Sequence, residues 1–107
     1  PQVSCWCWCV MSTEGLDEGC KKFEKWEIAS LTKLMVAFTC LHLAWWWGIN
    51  LEETTVEVPY ICSQIIGTSA NLKPGDILTL QNLMYGMMLP SGNDAAFLLA
   101  WYFGIQL

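Results

Sequence analysis

The sequence predicts an α+β chain, and three observations lead to it. Residues 3–11 alternate with a period of two, residues 30–47 run apolar for about five helical turns, and two shorter helical segments follow at 81–88 and 94–103. At 107 residues the chain is long enough for one domain with a buried core and too short for two.

In the first segment Cys5, Cys7 and Cys9 share one strand face, and Trp6, Trp8 and Val10 the other. Both faces are apolar, so a strand covered on both sides is expected. Ser12-Thr13-Glu14-Gly15 is a turn signal, and the charged stretch up to Glu27 is expected to be a loop or a short second strand. Its lysines, Lys21, Lys22 and Lys25, interleave with Glu18, Glu24 and Glu27, the pattern of a solvated loop. The long helix over 30–47 is stopped by Gly48 and Asn50. Residues 51–58 read as a short exposed strand, with Val56 and Val58 alternating about Glu57 and Pro59 ending the run. Lys73-Pro74-Gly75-Asp76 places proline and glycine at the centre of a type II turn, joining Ala70-Asn71-Leu72 to Ile77-Leu78-Thr79-Leu80 in a hairpin-like corner. The helix over 81–88 is halted near Pro90, and Asp94 is placed to cap a last helix ending before Gly104.

Composition narrows the function classes. The chain is 54% hydrophobic and 14% charged, with a mean hydropathy of +0.36, more apolar than an ordinary soluble domain. Such a surface needs a partner, a membrane or further sequence to cover it. With Pro1 at its start and an apolar run at 95–103 near its end, a piece of a longer protein is expected. A net charge of −5, with five lysines and no arginine, leaves no basic face for nucleic acid. The start of the chain lacks the charged and apolar regions of a secretory signal.

Six cysteines form an even count, but neighbours two apart on a strand do not bridge easily. Any disulfide would join different segments, with Cys20, Cys40 and Cys62 as candidate partners. A C-x-C-x-C run can bind soft metals, yet zinc sites usually bring a second Cys/His pair at close spacing and His42 is the sole histidine, so neither metal nor cofactor is expected. Residues 34–49 are apolar except for Thr39 and His42, but they fall short of the ~20 residues of a spanning helix. Trp45, Trp46 and Trp47 fit a membrane interface and equally a helix end packed in a core.

The candidate chemistry starts at Ser30-Leu31-Thr32-Lys33. Three residues is almost one helical turn, so Ser30 and Lys33 project from one face and can meet. A serine hydroxyl becomes a nucleophile when a neighbouring base takes its proton, and a lysine serves as that base only when neutral. The competing reading makes Ser30 a helix N-cap. A capping box, however, would place Glu or Gln where Lys33 stands, and the helix dipole disfavours a cation there. S-x-x-K alone is weak, because two common residues often meet at that spacing by chance. Ser91-Gly92-Asn93 adds to it, in the corner after Leu89-Pro90 where a loop can point both side chains into a cleft. Asn93 could hold a substrate amide and Ser91 could relay a proton to a leaving group. Taken by itself the triplet also reads as a plain turn between helices, and Ser69-Ala70-Asn71 matches it too.

Longer strings carry a resemblance. Ile28-Ala29-Ser30-Leu31-Thr32-Lys33, Asn71-Leu72-Lys73-Pro74-Gly75-Asp76 and Ser91-Gly92-Asn93-Asp94-Ala95-Ala96 occur in the order and spacing of D-alanyl-D-alanine carboxypeptidases. From about Val3 to Gly104 the chain resembles that serine peptidase family, part of the penicillin-binding protein and serine β-lactamase superfamily. S-x-x-K, Ser-x-Asn and K-T-G together are a known signature of that superfamily. The resemblance implies an α+β transpeptidase-like fold, here the helical part plus N-terminal sheet strands, with 1–107 as an incomplete domain. It implies Ser30 as nucleophile, Lys33 as its base, Ser91 as proton relay and Asn93 as substrate clamp, with no metal.

The implied substrate is a peptidoglycan stem peptide, cut at its terminal D-alanine through an acyl-enzyme, with β-lactams acylating the same serine. The implied address is extracytoplasmic, at the cell wall, and the long helix becomes a core helix rather than a membrane span. No K-T-G occurs in the 107 residues. That strand would supply one oxyanion donor, worth ~10²–10³ in rate, so the chain alone is expected to be inactive and its partner to be the missing C-terminal half. Two alternatives stand beside this reading: a class A β-lactamase relative, whose second motif usually carries aspartate where Gly92 stands, and a non-catalytic interaction or membrane-associated fragment that keeps the motifs idle.

Overall fold

The computed structural model describes residues 4–21 and 23–107. Val3 of the predicted first strand and Lys22 of the predicted charged loop lie outside the described residues. Among the described residues helices combine with two small antiparallel sheets, an α+β arrangement. The order is β1 (Trp8–Ser12), β2 (Gly15–Cys20), α1 (Thr32–Trp47), β3 (Thr55–Glu57), β4 (Ile77–Thr79), α2 (Leu80–Met88) and α3 (Asn93–Gly104). Short 3-10 turns stand at Ala29–Leu31, ahead of α1, and at Tyr60–Gln64.

The core is helical. α2 buries Leu80, Leu83 and Met87, and α3 buries Ala95, Leu98, Leu99 and Phe103, the i, i+3, i+4 spacing of one helix face in each case. These faces meet each other and the inner side of α1, where Cys40 and Ala44 are buried. α1 ends as its sequence suggests. Gly48 adopts the left-handed conformation at φ +67°, its N–H reaches the Trp45 carbonyl at 3.3 Å, and the Ile49 N–H reaches the Ala44 carbonyl at 2.8 Å. This pair of bonds is a Schellman motif, which satisfies carbonyls left open by the last turn.

Two expectations about strands are corrected. β1 is no covered strand: it pairs with β2 through a register shift at Val10/Met11, and Cys9, Val10 and Met11 are exposed. Two strands alone have no second layer to bury a face against, so the two-sided apolar pattern stays open. The type II turn does form, with Gly75 at φ +88° and the Asp76 N–H on the Lys73 carbonyl at 3.0 Å. It does not fold 70–72 back on 77–80. β4 instead pairs with β3 from Thr55↔Thr79 to Glu57↔Ile77, while the Ala70 and Leu72 N–H groups are taken by the Asp94 side chain. Beyond β3, Val58 is fully buried.

The outer face of α1 is a broad exposed apolar surface. Leu31, just before the helix, and Leu34, Met35, Phe38, Leu41, Trp45 and Trp46 within it are exposed, the last two at 76% and 71%. They recur at three- and four-residue spacing, so α1 is apolar on both sides, as a fully buried helix would be. No described helix is long and apolar enough to cross a membrane. A patch of this kind drives association in water. The isolated chain is expected to self-associate, and replacing Trp45 with Lys and Trp46 with Glu should shift it toward monomer in sedimentation velocity. Because both residues are exposed, the melting temperature should change little. Sedimentation of the unaltered chain as a monomer at tens of micromolar would remove the argument.

Candidate active site

Ser30 lies in the 3-10 turn that leads into α1, and Lys33 lies one turn further on. Ala29, just before the serine, has φ +44°, a left-handed conformation that costs energy in any residue with a Cβ and is held only where surroundings enforce it. It is one of two such residues at the site. The other is Ser91, at φ +59°, in the bend between α2 and α3.

The four sequence-predicted residues are brought together. Lys33 Nζ, on a side chain only 8% exposed, donates to Ser30 Oγ at 3.3 Å and to Asn93 Oδ1 at 2.7 Å. Ser91 Oγ donates to Ser30 Oγ at 2.9 Å. Ser30 is exposed at the mouth, Lys33 is buried beneath it, and Ser91 and Asn93 are half-buried on the far wall. No side-chain capping bond forms at the start of the 3-10 turn or of α1, so the helix-cap reading of Ser30 is not what the molecule does. The serine oxygen instead accepts two hydrogen bonds from groups able to exchange protons with it.

Space is available on both sides. A cleft of about 580 Å³ is lined by Ala29, Ser30, Lys33, Ile65, Thr68 and Phe97. A second hollow of about 330 Å³, against Ile28, Leu34, Met88 and Ser91, opens on the other flank of the same serine and lysine. A group bound in either hollow lies beside Ser30 Oγ, which has Lys33 Nζ and Ser91 Oγ within hydrogen-bond reach.

The S-G-N bend is held by close packing. Gly92 donates its N–H to the Gly86 carbonyl at 3.1 Å. A Cβ at Gly92 would sit 2.7 Å from that carbonyl, 2.8 Å from the Ala70 nitrogen and 2.8 Å from Asp94 Oδ1. No side chain fits there. Asn93 donates its backbone N–H to the Thr68 carbonyl at 2.7 Å and its Nδ2 to the Ile66 carbonyl at 2.9 Å, which turns its Oδ1 toward Lys33.

Two participants escaped the sequence reading. Asp94 is not the N-cap of α3. Gly92 holds that position, and Asp94 lies in the first turn with its carboxylate directed to residues 69–72. Thr68 gives its hydroxyl to the Ser91 carbonyl and its own carbonyl to Asn93. The acidic residue directly after S-G-N was a visible signal for the first, whereas nothing local marks Thr68.

All six cysteines are free thiols, with Cys40 and Cys62 buried. Burial pushes the Cys40 thiol up to about 11, so it remains protonated and inert at neutral pH. Among the described residues no group of three or more His, Cys, Asp or Glu side chains could hold a metal ion.

No family model matches the chain. Comparison with curated proteins finds the D-alanyl-D-alanine carboxypeptidase of Streptomyces sp. (strain K15), 37% identical over 78 residues. The match takes in 70% of this chain and 26% of that protein. The chain therefore spans about a quarter of the length of the relative it matches, and the likeness supports a carboxypeptidase-like relationship for this segment.

Proposed function

We propose that the chain is a segment of a serine-type acyl-transfer enzyme of the D-alanyl-D-alanine carboxypeptidase kind, with an incomplete transpeptidase-like domain over residues 1–107. The observation that carries the reading is the convergence on Ser30 Oγ of Lys33 Nζ from the next turn and Ser91 Oγ from 61 residues away. A capping serine or a plain interhelical turn needs neither contact.

In this reading a neutral Lys33 takes the Ser30 proton as the oxygen attacks the carbonyl before a terminal D-alanine. Ser91 passes a proton to the departing amine, and Asn93 holds the substrate amide while fixing the Lys33 nitrogen. Water then releases the peptide from the ester. The relative's name supports a substrate ending in D-alanyl-D-alanine, and this reading takes it to be a peptidoglycan stem peptide met at an extracytoplasmic address. Gly92 favours this reading over that of a class A β-lactamase relative, because aspartate at that position would collide with Gly86, Ala70 and Asp94. Full activity would require the strand carrying K-T-G and its oxyanion donor, which these 107 residues do not contain.

The test is covalent labelling. The chain, and a version extended by any downstream coding sequence, are incubated with a fluorescent penicillin and read by intact mass. An adduct on the extended version that is lost in Ser30→Ala is the expected result. No adduct on either version would favour the alternative, a non-catalytic fragment in which the motif residues are idle and the apolar face of α1 is the working surface.

A further inference from the structure

Asp94 is a buried carboxylate that the chemistry above does not use, and its surroundings give it a different task. It is 3% exposed. Its Oδ1 accepts the N–H groups of Ala70 at 2.8 Å and Ala95 at 2.9 Å, and its Oδ2 accepts the Ser69 hydroxyl at 2.7 Å and the Leu72 N–H at 3.2 Å. Three of these four donors belong to residues 69–72, so the side chain is a strap between that segment and the first turn of α3. The same segment continues into the carbonyls of Ile66 and Thr68 that hold Asn93, and into the Thr68 hydroxyl that holds the Ser91 carbonyl. Ser91 and Asn93 thus take their places from residues 66–72, and Asp94 fixes those residues. The left-handed backbone at Ser91 needs such enforcement, since a serine left to itself avoids it.

We propose that Asp94 is a positioning residue, whose carboxylate ties residues 69–72 to α3 and thereby sets Ser91 and Asn93 against Ser30 and Lys33. Its meaning for catalysis rests on the acyl-transfer reading above; the geometry it fixes does not.

Burial alone would raise the Asp94 carboxyl, but the hydrogen bonds from Ala70, Ser69, Leu72 and Ala95 outweigh it and hold the group below the ordinary aspartate range. The strap is therefore complete above the ordinary range near pH ~4 and is lost as pH falls through the lower value of the folded protein. The other titratable groups around it are Cys62, Lys33, Tyr85 on α2, and Asp76, whose carboxylate accepts the Lys73 N–H just past the strapped segment. Cys62, in the 3-10 turn at Tyr60–Gln64, has its thiol raised by burial and by the Asp94 charge and stays neutral in acid. Residues 66–72 bring no titratable side chain, and from α1 the charged group in the network is Lys33, bonded to Asn93.

The test is residue-resolved amide exchange and acid titration by NMR on the 107-residue chain and its Asp94→Asn variant. The variant keeps the shape and one acceptor oxygen but turns an NH₂ toward donors. In Asp94→Asn the Asn93 and Ala70 amides are expected to exchange ~10-fold or more faster, while Val58 beside β3 and Ile49 after α1 keep their protection. In the parent chain the Ser91 and Asn93 signals should move with the same acid midpoint as the Asp94 carboxyl carbon, and this movement should vanish in the variant. Unchanged protection of Asn93, or equal loss at Val58 and Ile49, overturns the proposal. If the variant does not fold, the parent titration decides: a shared midpoint at Asp94 and Asn93 with Val58 unmoved supports it, and separate midpoints or movement of Val58 with them overturn it. No step of this test reads catalysis, so failed penicillin labelling and failure of the strap are separate results.

Discussion

Lys33→Met is expected to slow β-lactam acylation of Ser30 by about 10²–10⁴, the range of a positioned general base. Methionine keeps an unbranched apolar stem in a position that is 8% exposed, so the helix start should retain its packing. What it removes is the nitrogen that bonds Ser30 Oγ and Asn93 Oδ1. The Asn93 oxygen then loses its donor, which adds about 1–3 kcal/mol of instability if no water replaces it. Lys33→Arg should not restore the rate, because a guanidinium does not lose its proton and cannot act as base. The comparison is made by time-resolved labelling in whichever version of the chain forms the adduct. Labelling of Lys33→Arg at the parent rate would show that charge and not basicity is what Ser30 needs, and would remove Lys33 from the proton-transfer role.

Leu98→Ala should cost about 2–5 kcal/mol, measured by urea denaturation. Leu98 is fully buried on α3, and its removal opens a cavity in the helical core. Against a total stability of about 5–15 kcal/mol for a domain of this size, that loss is a large fraction and should lower the urea midpoint clearly. Leu34→Ala is the control. It removes the same atoms from the outer face of α1, where Leu34 is 54% exposed, and in the Trp45→Lys, Trp46→Glu background that favours monomer it should cost a few tenths of a kcal/mol. Equal losses at the two positions would mean that the outer face of α1 is covered in solution, by a second copy or by another surface.

How far the sequence could be read depended on how local each feature is. The end of α1 at Gly48, the type II turn at Gly75 and the α2 helix, expected over 81–88 and found from Leu80, were legible, because each depends on a residue's own φ preference or on bonds within a few positions. So was the Ser30 and Lys33 pair, since three residues on a helical path bring side chains to one face. The strand pattern at Cys5, Cys7 and Cys9 misled because alternation shows which residues share a face, not whether anything lies on that face.

The remaining features depended on segments far apart in the chain. Residues 70–72 were expected to pair with 77–80, but a single carboxylate from α3 takes the N–H groups of Ala70 and Leu72, and β4 pairs with β3. Asp94 was expected to cap its own helix and instead bonds across 22 to 25 residues. Ser91 and Asn93 reach Ser30 and Lys33 because α2 and α3 pack on α1 and because residues 66–72 hold the bend in a backbone state it would otherwise leave. The types of helix and turn and the residues able to do the chemistry were therefore set by local preference along the chain. Which groups satisfy which buried donors, and so where the second half of the site stands, was settled by packing, because a buried N–H must find an acceptor and the nearest one in space is not the nearest in sequence.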